Sequence, residues 1–369
     1  MKMRHQGVSL LKGGAFTIYA IFKLLPKQRK LVLISRLNTK TSIDFQQIVN
    51  TAAEIDPNLR VVVLNHKMSN RFLHVFEIIQ EMYHLATATA CVVESYVISV
   101  SILKHRKSLV IVQIWHALGA VKAFGHMAIG KPEGSSAEIA RLMNMHKNYS
   151  YVTAGSDKTI SIYAKAFNVE ESTIKPIGMP RLDYLLNPRL QQQNVQNVRK
   201  HYNLSADKKV ILYAPTFRKR GKIPYETLIE AIDLSRYTLI IKQHLHDKTQ
   251  IAPHEGVIIN KSYDILQLLP VADYVVTDYS AAVFEAALLK KPLFFWHFDE
   301  ERYAKRRGFA LDYTNELPGV KSSNVHDIAQ AIDANNFNED HIKAFADKYV
   351  TVQDGTSTKQ LFRLLGIAS

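Results

Sequence analysis

The chain has 369 residues, of which 47% are hydrophobic and 22% charged, a composition typical of a globular protein of two or three domains. Its 47 lysines and arginines against 33 acidic residues give a formal net charge of +14. The single cysteine, Cys91, excludes a disulfide framework, a four-cysteine zinc site and a CxxC redox pair, so we expect a reducing, cytosolic compartment. No run of about 18 apolar residues predicts a transmembrane helix.

Half of the excess positive charge lies in residues 1–30, which contain seven lysines and arginines and no acid. Large apolar residues such as Ile21 and Leu25 lie between these charges. Apolar burial and attraction to anionic lipids add together at a membrane surface, so we predict a basic amphipathic segment that contacts the membrane. The alternative is a helix docked on the protein's own core, and Gly13 and Gly14 weaken any helix here. No cleavage pattern follows, so the segment is interpreted as uncleaved.

Nucleic acid is the other partner that a pI near 9.5 suggests. The sequence contains no zinc finger, RNP-type aromatic motif or recognisable helix-turn-helix, so we predict no nucleic-acid partner.

Apolar, β-rich runs alternate with helical spacing through the first half of the chain. Strands are predicted at 31–34, 61–64, 90–93, 109–114 and 151–154, with helices at 42–55 and 72–86. This alternation is typical of a parallel sheet with crossover helices.

At residues 187–194 the composition becomes polar, and a second α/β series follows. Its strands are predicted at 210–214, 238–241, 256–259, 274–277 and 293–296, and its helices at 225–235, 262–271 and 280–289. We therefore predict two Rossmann-like lobes, 31–188 and 189–369, with a cleft between them. Ligands of such sheets bind beyond the carboxyl ends of the strands, so the residues after each strand matter most.

Two strand ends carry histidines. His116 follows the strand at 109–114 and could accept a proton near neutral pH, although a lone histidine is often structural. His244 and His246 follow the strand at 238–241. One HxH pair without further matched ligands is weak support for a metal site, so His244 is favoured as a donor to phosphate.

A cluster of cations follows the strand at 210–214. Arg218 is the cation closest to the strand end, where its planar fork could bind phosphate oxygens bidentately. The alternative is a solvated basic loop.

The strand at 274–277 is followed by small hydroxyl residues and a predicted helix. Free backbone N–H groups at that helix start favour a phosphate, and Thr277 and Ser280 could add hydroxyl donors. Ser280 could also serve only as the helix N-cap.

Several of these segments occur in the order found in a known family. Gln-Ile-Trp-His-Ala at 113–117, the Gly-Met-Pro-Arg-Leu-Asp run within 175–183, Tyr-Ala-Pro-Thr-Phe-Arg at 213–218 and the run 276–285 resemble the CDP-glycerol glycerophosphotransferases of wall teichoic acid synthesis, as do Lys-Pro-Leu at 291–293 and Arg-Gly-Phe at 307–309. The resemblance covers about residues 30–315. It implies a GT-B-like fold with an acceptor-side first lobe and a CDP-glycerol-binding second lobe, peripheral to the cytoplasmic face of the membrane.

The resemblance also implies roles for individual residues. His116 and His244 are implied as catalytic, and the diphosphate or nucleotide would be bound by Thr216, Arg218, Thr277, Asp278 and Ser280. Lys122, Arg181 and Asp183 are candidates for acceptor-side or structural roles. Leu245 replaces the usual proline after the second histidine, which affects the local loop shape. Ala281 replaces a serine and removes one hydroxyl contact.

The Trp-His-Ala-Leu-Gly-Ala stretch at 115–120 is more similar to the glycerol-phosphate primases than to the polymerases. A primase would move glycerol 3-phosphate from CDP-glycerol to the ManNAc of an undecaprenyl-diphosphate-linked ManNAc-GlcNAc disaccharide and release CMP. The alternatives are a glycerol- or ribitol-phosphate transferase that extends a primed chain, a GT-B glycosyltransferase that uses a nucleotide sugar, and a non-catalytic membrane adaptor. The chain has no Asp-x-Asp pair, which favours neutralisation of the diphosphate by side chains; no cofactor or metal site is predicted, and a divalent-metal requirement and the oligomeric state stay open.

Overall fold

A computed structural model of the protein describes residues 2–37, 39–66, 71–219, 221–244 and 246–368, without the side chains of 2–11 and 71–74. Arg220 of the predicted cation cluster and Leu245 lie outside the described residues, as do the side chains of the first basic residues of segment 1–30.

The first lobe is built on a six-stranded sheet whose strands pair in parallel. The strands are β1 (Lys30–Ser35), β2 (Arg60–Asn65), β3 (Ala90–Val93), β4 (Val110–Gln113), β5 (Tyr151–Thr153) and β6 (Ile174–Lys175). Their order is β2-β1-β3-β4-β5-β6, so the direction of winding reverses between β1 and β3. Every residue of β1 and β3 is buried, as expected of central strands covered on both faces.

Helices cover both faces of this sheet. They are α1 (Lys2–Phe22), α2 (Ile43–Ile55), α3 (Arg71–Thr87), α4 (Ile98–Ile102), α5 (Ala137–Leu142), α6 (Ile160–Phe167) and α7 (Pro180–Leu185). The next helix, α8 (Pro188–Tyr202), packs through Val198 in the core that the two lobes share. The start of α2 follows from its sequence, because the Ser42 side chain accepts a hydrogen bond from the backbone N–H of Phe45. Phe45, Ile48 and Ala52 recur on one face of α2 and are buried against the sheet.

The second lobe contains another six-stranded sheet with parallel pairing. Its strands are β7 (Lys209–Tyr213), β8 (Tyr237–Ile241), β9 (Val257–Ile259), β10 (Tyr274–Thr277), β11 (Leu293–Trp296) and β12 (Val320–Ser322). The order is β12-β11-β10-β7-β8-β9. Here the winding reverses between β7 and β10, the position at which open α/β sheets bind ligands.

The remaining helices begin in the second lobe. They are α9 (Tyr225–Ala231), α10 (Ile265–Leu268), α11 (Ala282–Leu288), α12 (Glu300–Arg306), α13 (Tyr313–Glu316), α14 (Val325–Asp333), α15 (Glu339–Tyr349) and α16 (Ser357–Leu364). The last of them, α16, returns to the first lobe, where Leu361 and Phe362 pack in one cluster with Leu31, Leu33 and Phe45. The packing unit of the first lobe is therefore not one continuous stretch of chain.

The two lobes share an apolar core beneath the cleft. Leu118 and Val121 of the first lobe pack in the same cluster as Val283 and Phe284 of α11. An ideal Cβ on Gly119 would lie 2.5 Å from the Phe284 ring, so only glycine permits this approach.

The predicted α/β class with two parallel sheets is confirmed, and the predicted strand positions match β1 to β5 and β7 to β11. Several predicted helices are shorter in the structure. The helix predicted at 262–271 is reduced to α10 because the Asp264 side chain and Gln267 form a capping box that fixes its start. Gly13 and Gly14, in contrast, do not interrupt α1.

The first segment is docked on the first lobe along one face. Tyr19 is buried, whereas Ile21 is 57% and Leu24 84% exposed, as is Phe76 of the neighbouring α3 at 72%. Lys30, counted in the predicted basic segment, is fully buried and donates to Thr87 at 2.6 Å. Among the helices of the described part of the chain, none is long and apolar enough to cross a membrane.

Candidate active site

A cleft of about 590 Å³ lies between the lobes at the carboxyl ends of both sheets. It brings together five of the predicted residues: His116, Lys122, Arg181, His244 and Ser280. The other five do not line it; these are Asp183, Thr216, Arg218, Thr277 and Asp278.

His116 follows β4 and is oriented by the end of β3. Its Nδ1 lies 3.1 Å from the backbone carbonyl oxygen of Glu94. Because a carbonyl can only accept, Nδ1 carries the proton and Nε2 keeps a free lone pair. Burial, more than the nearby Arg181 and Lys122, lowers the pKa of His116 to about 4. The imidazole is therefore neutral at neutral pH, the form that can accept a proton.

The backbone next to His116 is strained. Trp115 has a φ of 58°, a left-handed conformation that is rare for a bulky residue and costs about 1–3 kcal/mol. The buried Gln113 side chain holds this turn by accepting from the Trp115 backbone N–H at 2.8 Å. The Trp115 ring also lies 4.1 Å from the His116 ring, centroid to centroid. Strain of this kind is found where a side chain must be held in one orientation.

His244 has the opposite tautomer. The backbone N–H of His246 donates to Nδ1 of His244 at 3.2 Å, so in the neutral ring the proton is on Nε2. The Phe217 ring stacks on this imidazole with centroids 5.1 Å apart. Desolvation, followed by the positive charge of Lys122, lowers the pKa of His244. The two cleft histidines therefore offer complementary groups, a proton acceptor and a proton donor.

Four cations line the cleft, the ion-paired Arg181 and also Lys122, Lys242 and Arg307, against two acidic residues, Asp264 and Glu285. Burial, followed by repulsion from Arg307, lowers the pKa of Lys122 to about 8. Desolvation also lowers the pKa of Lys242. Cations held close together in a partly dry cleft favour a polyanionic ligand, which would relieve their repulsion.

Arg218 lines a neighbouring cavity of about 1060 Å³ rather than this cleft, and its guanidinium is largely paired within the protein. Its guanidinium donates to Asp278 at 2.8 Å, to both carboxylate oxygens of Asp299 at 2.8 Å and to the Thr216 carbonyl at 2.6 Å. It also packs against the rings of Tyr279 and Tyr303. These partners occupy most of the N–H groups of Arg218 and leave few of them for a ligand. The contact between Arg218 and a diphosphate stays a prediction.

Asp278, Thr216 and Thr277 join the ends of β7 and β10. The Asp278 carboxylate accepts from the backbone N–H of Thr216 at 2.8 Å and of Tyr279 at 2.5 Å, and the Thr277 hydroxyl donates to the Ala214 carbonyl at 2.8 Å. These buried groups shape the crevice at the switch point of the sheet, and their predicted ligand contacts are not tested.

Ser280 faces the cleft just before α11. Its hydroxyl accepts from the backbone N–H of Ala282 at 3.3 Å, while its O–H remains able to donate. The N-cap of α11 is Ala281, which makes no side-chain capping bond, so the alternative that Ser280 is the N-cap is wrong. The predicted contact of Ser280 with a ligand stays a prediction.

Arg181 and Asp183 both lie on α7 but serve different neighbours. Arg181 forms ion pairs with Asp44 at 2.6 Å and with Glu285 at 2.8 Å, and it donates to the His116 carbonyl at 2.9 Å. Asp183 accepts from the first backbone N–H groups of α16 and therefore holds that helix on the first lobe.

Sequence reasoning assigned no role to Glu94, Lys242, Glu285 or Arg307, although Glu285 and Arg307 lie in segments that resemble the family. Glu94 and Lys242 directly follow β3 and β8, so the strand-end rule could have found both. Arg307 follows the helix α12 and gives no such signal. Residues 308–310, which directly follow Arg307, pair with residues 121–123 of the first lobe. In this pairing the backbone N–H of Ala123 donates to the Gly308 carbonyl at 2.9 Å.

Within the described ranges, no group of three or more histidine, cysteine, aspartate or glutamate side chains could hold a metal ion.

Comparisons with known proteins agree with this geometry. The family described as CDP-glycerol:poly(glycerophosphate) glycerophosphotransferase matches residues 17–366. The chain is 30% identical to the teichoic acid ribitol-phosphate primase of Bacillus spizizenii over 95% of both chains. It is 28% identical to the teichoic acid glycerol-phosphate primase of Bacillus subtilis, covering 88% of this chain and 84% of that protein.

The structure of the wall teichoic acid polymerase TagF aligns with a TM-score of 0.78 at 22% identity, covering 99% of this chain and 96% of that chain. This likeness shows that the two-lobed architecture is GT-B-like, as predicted. Since the family match covers nearly the whole chain, including both sheets and the cleft, the protein is an enzyme that belongs to the CDP-glycerol:poly(glycerophosphate) glycerophosphotransferase family.

Proposed function

We propose that the protein is a primase that transfers glycerol 3-phosphate from CDP-glycerol to the ManNAc of an undecaprenyl-diphosphate-linked ManNAc-GlcNAc disaccharide. The observation that carries the proposal is the pairing of His116, with a free Nε2 lone pair, and His244, with an Nε2–H donor, in one cationic cleft. In this arrangement the first lobe receives the acceptor and the second lobe binds CDP-glycerol.

The proposed reaction is an in-line displacement at the β-phosphorus. The acceptor hydroxyl oxygen forms the new P–O bond, and His116 Nε2 takes the hydroxyl proton. The bond between the β-phosphorus and the bridging oxygen breaks, and CMP leaves with that oxygen and the electron pair. His244, Lys122 and Arg307 stabilise the charge on the diphosphate, because positioning and electrostatics carry most of phosphoryl transfer.

The donor phosphates would also tune the base. A nearby anion favours the charged form of an imidazole, so bound CDP-glycerol raises the pKa of His116 from its low value toward neutrality. A base with a pKa nearer the working pH is more effective. The low value without ligand ensures that the imidazole starts unprotonated.

Teichoic acid priming is supported by relatives whose names state that role, a ribitol-phosphate primase and a glycerol-phosphate primase. The higher of the two identities, over 95% of both chains, is to the ribitol-phosphate primase. CDP-ribitol is therefore the second candidate donor, with the same cleft and the same displacement.

Incubation of the purified protein with lipid-linked disaccharide and equimolar CDP-glycerol and CDP-ribitol tests the proposal. We expect CMP release and a product heavier by one glycerol phosphate in mass spectra. A product with ribitol phosphate would mean that CDP-ribitol is the donor. A product with several added units would mean that the enzyme is a polymerase and not a primase. The absence of CMP release with either donor would contradict the proposed function. A nucleotide-sugar arm tests the glycosyltransferase alternative.

The enzyme would act at the cytoplasmic face of the membrane, peripherally. This part of the proposal is supported by three exposed apolar residues: Ile21 on α1, Leu24 in the turn that follows it, and Phe76 on α3, a helix in contact with α1. Apolar side chains of this kind insert at the boundary between lipid headgroups and acyl chains.

A further inference from the structure

Another cavity of the first lobe shares no lining residue with the cleft described above. This groove, which we call the α1 groove, has a volume of about 470 Å³, within the range of about 300–1,000 Å³ that small-molecule sites occupy. One wall is formed by Phe16 and Tyr19 of α1 and by Lys23 just after this helix, and the other by the segments 101–104 and 144–148.

The charge of the α1 groove is one-sided. Three lysines line it, Lys23, Lys104 and Lys147, and none of the described lining residues is acidic. Lys104 and Lys147 are exposed and form no ion pair with any residue that the structure describes. Lys23 donates to the Lys104 carbonyl at 3.1 Å and keeps further N–H groups for a ligand.

The walls of the groove are fixed by hydrogen bonds. The Asn148 amide donates to the carbonyls of Val100, Ser101 and Leu103 at 2.9–3.2 Å, which ties the two loop segments together. The Tyr19 hydroxyl lies 2.7 Å from Nδ1 of His105, which holds α1 against the same wall. The groove therefore exists before any ligand arrives.

The position of the groove beside α1 indicates its occupant. Phe16 lines the groove and is 43% exposed, and two further exposed apolar residues lie close in sequence, Ile21 on the same helix and Leu24 in the turn just after it. If these residues insert at the acyl boundary, lysines on the flank of the helix lie at the level of the lipid phosphates.

We propose that the α1 groove binds the phosphate group of an anionic phospholipid of the bilayer. The lysines supply the charge and the fixed loops supply the shape, so the enzyme recognises a headgroup in addition to a charged surface. The inference rests on the membrane contact proposed above.

Co-sedimentation with vesicles at 0.15 M salt tests the site, because the Debye length of about 8 Å then restricts attraction to nearby charges. Vesicles of phosphatidylcholine alone are compared with vesicles that also contain phosphatidylglycerol. We expect Lys104→Glu with Lys147→Glu to weaken binding to phosphatidylglycerol vesicles at least tenfold and to leave binding to phosphatidylcholine unchanged. The neutral pair Lys104→Gln with Lys147→Gln should give an intermediate loss.

The matched control is Lys107→Glu with Lys165→Glu, two exposed lysines outside the groove that receive the same change in charge. We expect less than a threefold loss for this pair. Equal losses in the two pairs would mean that the attraction is diffuse and would overturn the site, as would wild-type binding by the Lys104 and Lys147 variants.

A third variant separates the site from the membrane contact itself. Leu24→Asp with Phe76→Asp should abolish binding to both kinds of vesicle. If that variant binds like wild type, the proposed membrane contact fails; if it loses binding while the groove variants do not, only the headgroup site fails. Turnover of CDP-glycerol with a water-soluble acceptor should stay unchanged in the groove variants.

Discussion

Nη1 of Arg181 lies 2.8 Å from Oε1 of Glu285 and 2.9 Å from the carbonyl oxygen of His116. One buried guanidinium therefore joins the loop of the predicted base to the helix α11 of the opposite lobe. Its other nitrogens bind Asp44 at the start of α2. Arg181 therefore links the loop of the predicted base to the donor side of the cleft, in addition to the apolar core that the two lobes share.

Arg181→Lys should keep the charge but lose the fork that reaches three partners at once. We expect kcat to fall 10- to 100-fold with less than a threefold change in KM for CDP-glycerol, because a small displacement of the base is costly. Arg181→Lys and Glu285→Gln should be non-additive in a double-mutant cycle. The control is Arg236→Lys in the exposed ion pair with Asp333, which should behave like wild type. Additive effects in the cycle would refute the coupling.

His116→Ala should lower kcat by about 10²–10⁴-fold, the usual contribution of a general base. Binding of CDP-glycerol, measured by calorimetry, should change little. His341→Ala, an exposed histidine on α15, provides the control and should retain full activity. Activity of His116→Ala within threefold of wild type would end the base assignment.

The pH profile of kcat/KM should be bell-shaped. Below about pH 4 the His116 imidazole is protonated and cannot accept a proton, so activity falls on the acid side. Above about pH 8 Lys122 loses its charge and the donor anion binds less well. Lys122→Arg should move the alkaline limb to higher pH, because a guanidinium stays charged. An alkaline limb that remains at pH 8 in this variant would exclude Lys122 as its cause.

The main effect of Arg218→Ala should be a lower free energy of unfolding. It leaves the buried Asp278 carboxylate and Asp299 without their cation, a loss of about 3–5 kcal/mol in the free energy of unfolding. Urea denaturation measures this, with Lys219→Ala, its exposed neighbour, as the control. Wild-type stability together with a raised KM for CDP-glycerol would instead favour the direct diphosphate contact predicted from the sequence.

Gly119→Ala should separate the lobes. The new Cβ would meet the ring of Phe284, which is fully buried and stacked on Phe345, so the ring cannot move aside. We expect a loss of about 1–3 kcal/mol of stability and reduced kcat. At Gly13 nothing lies within 4 Å of an added Cβ, so Gly13→Ala should be neutral or slightly stabilising for α1. Equal stability of the two variants would contradict the close approach.

The fold could be predicted from sequence where buried strands read as continuous apolar runs. Strands such as β3 and β10 match their predicted bounds, because a central parallel strand is apolar on both faces. The edge strands β6 and β12 could not be predicted, since runs of only two or three residues leave no pattern. Helix ends depended on caps, which periodicity does not reveal.

From the residues alone, only those site residues that follow the end of a strand could be predicted. That rule found His116, His244 and Ser280, which line the cleft, and equally Arg218 and Asp278, which lie beneath it. A sequence does not tell a cation that faces a ligand from one that neutralises buried carboxylates. That distinction requires the partner, and Asp299 comes 81 residues after Arg218.

The return of α16 to the first sheet has a consequence for how the protein is made. Leu361, Phe362 and Leu365 cover residues of β1, which are synthesised more than 300 residues earlier. During synthesis, that flank of the sheet stays open to water and to chaperones until α16 has left the ribosome. Maturation of the first lobe therefore waits for the synthesis of α16, and a cleavage near Ser357 would disturb the lobe that is far from it in sequence.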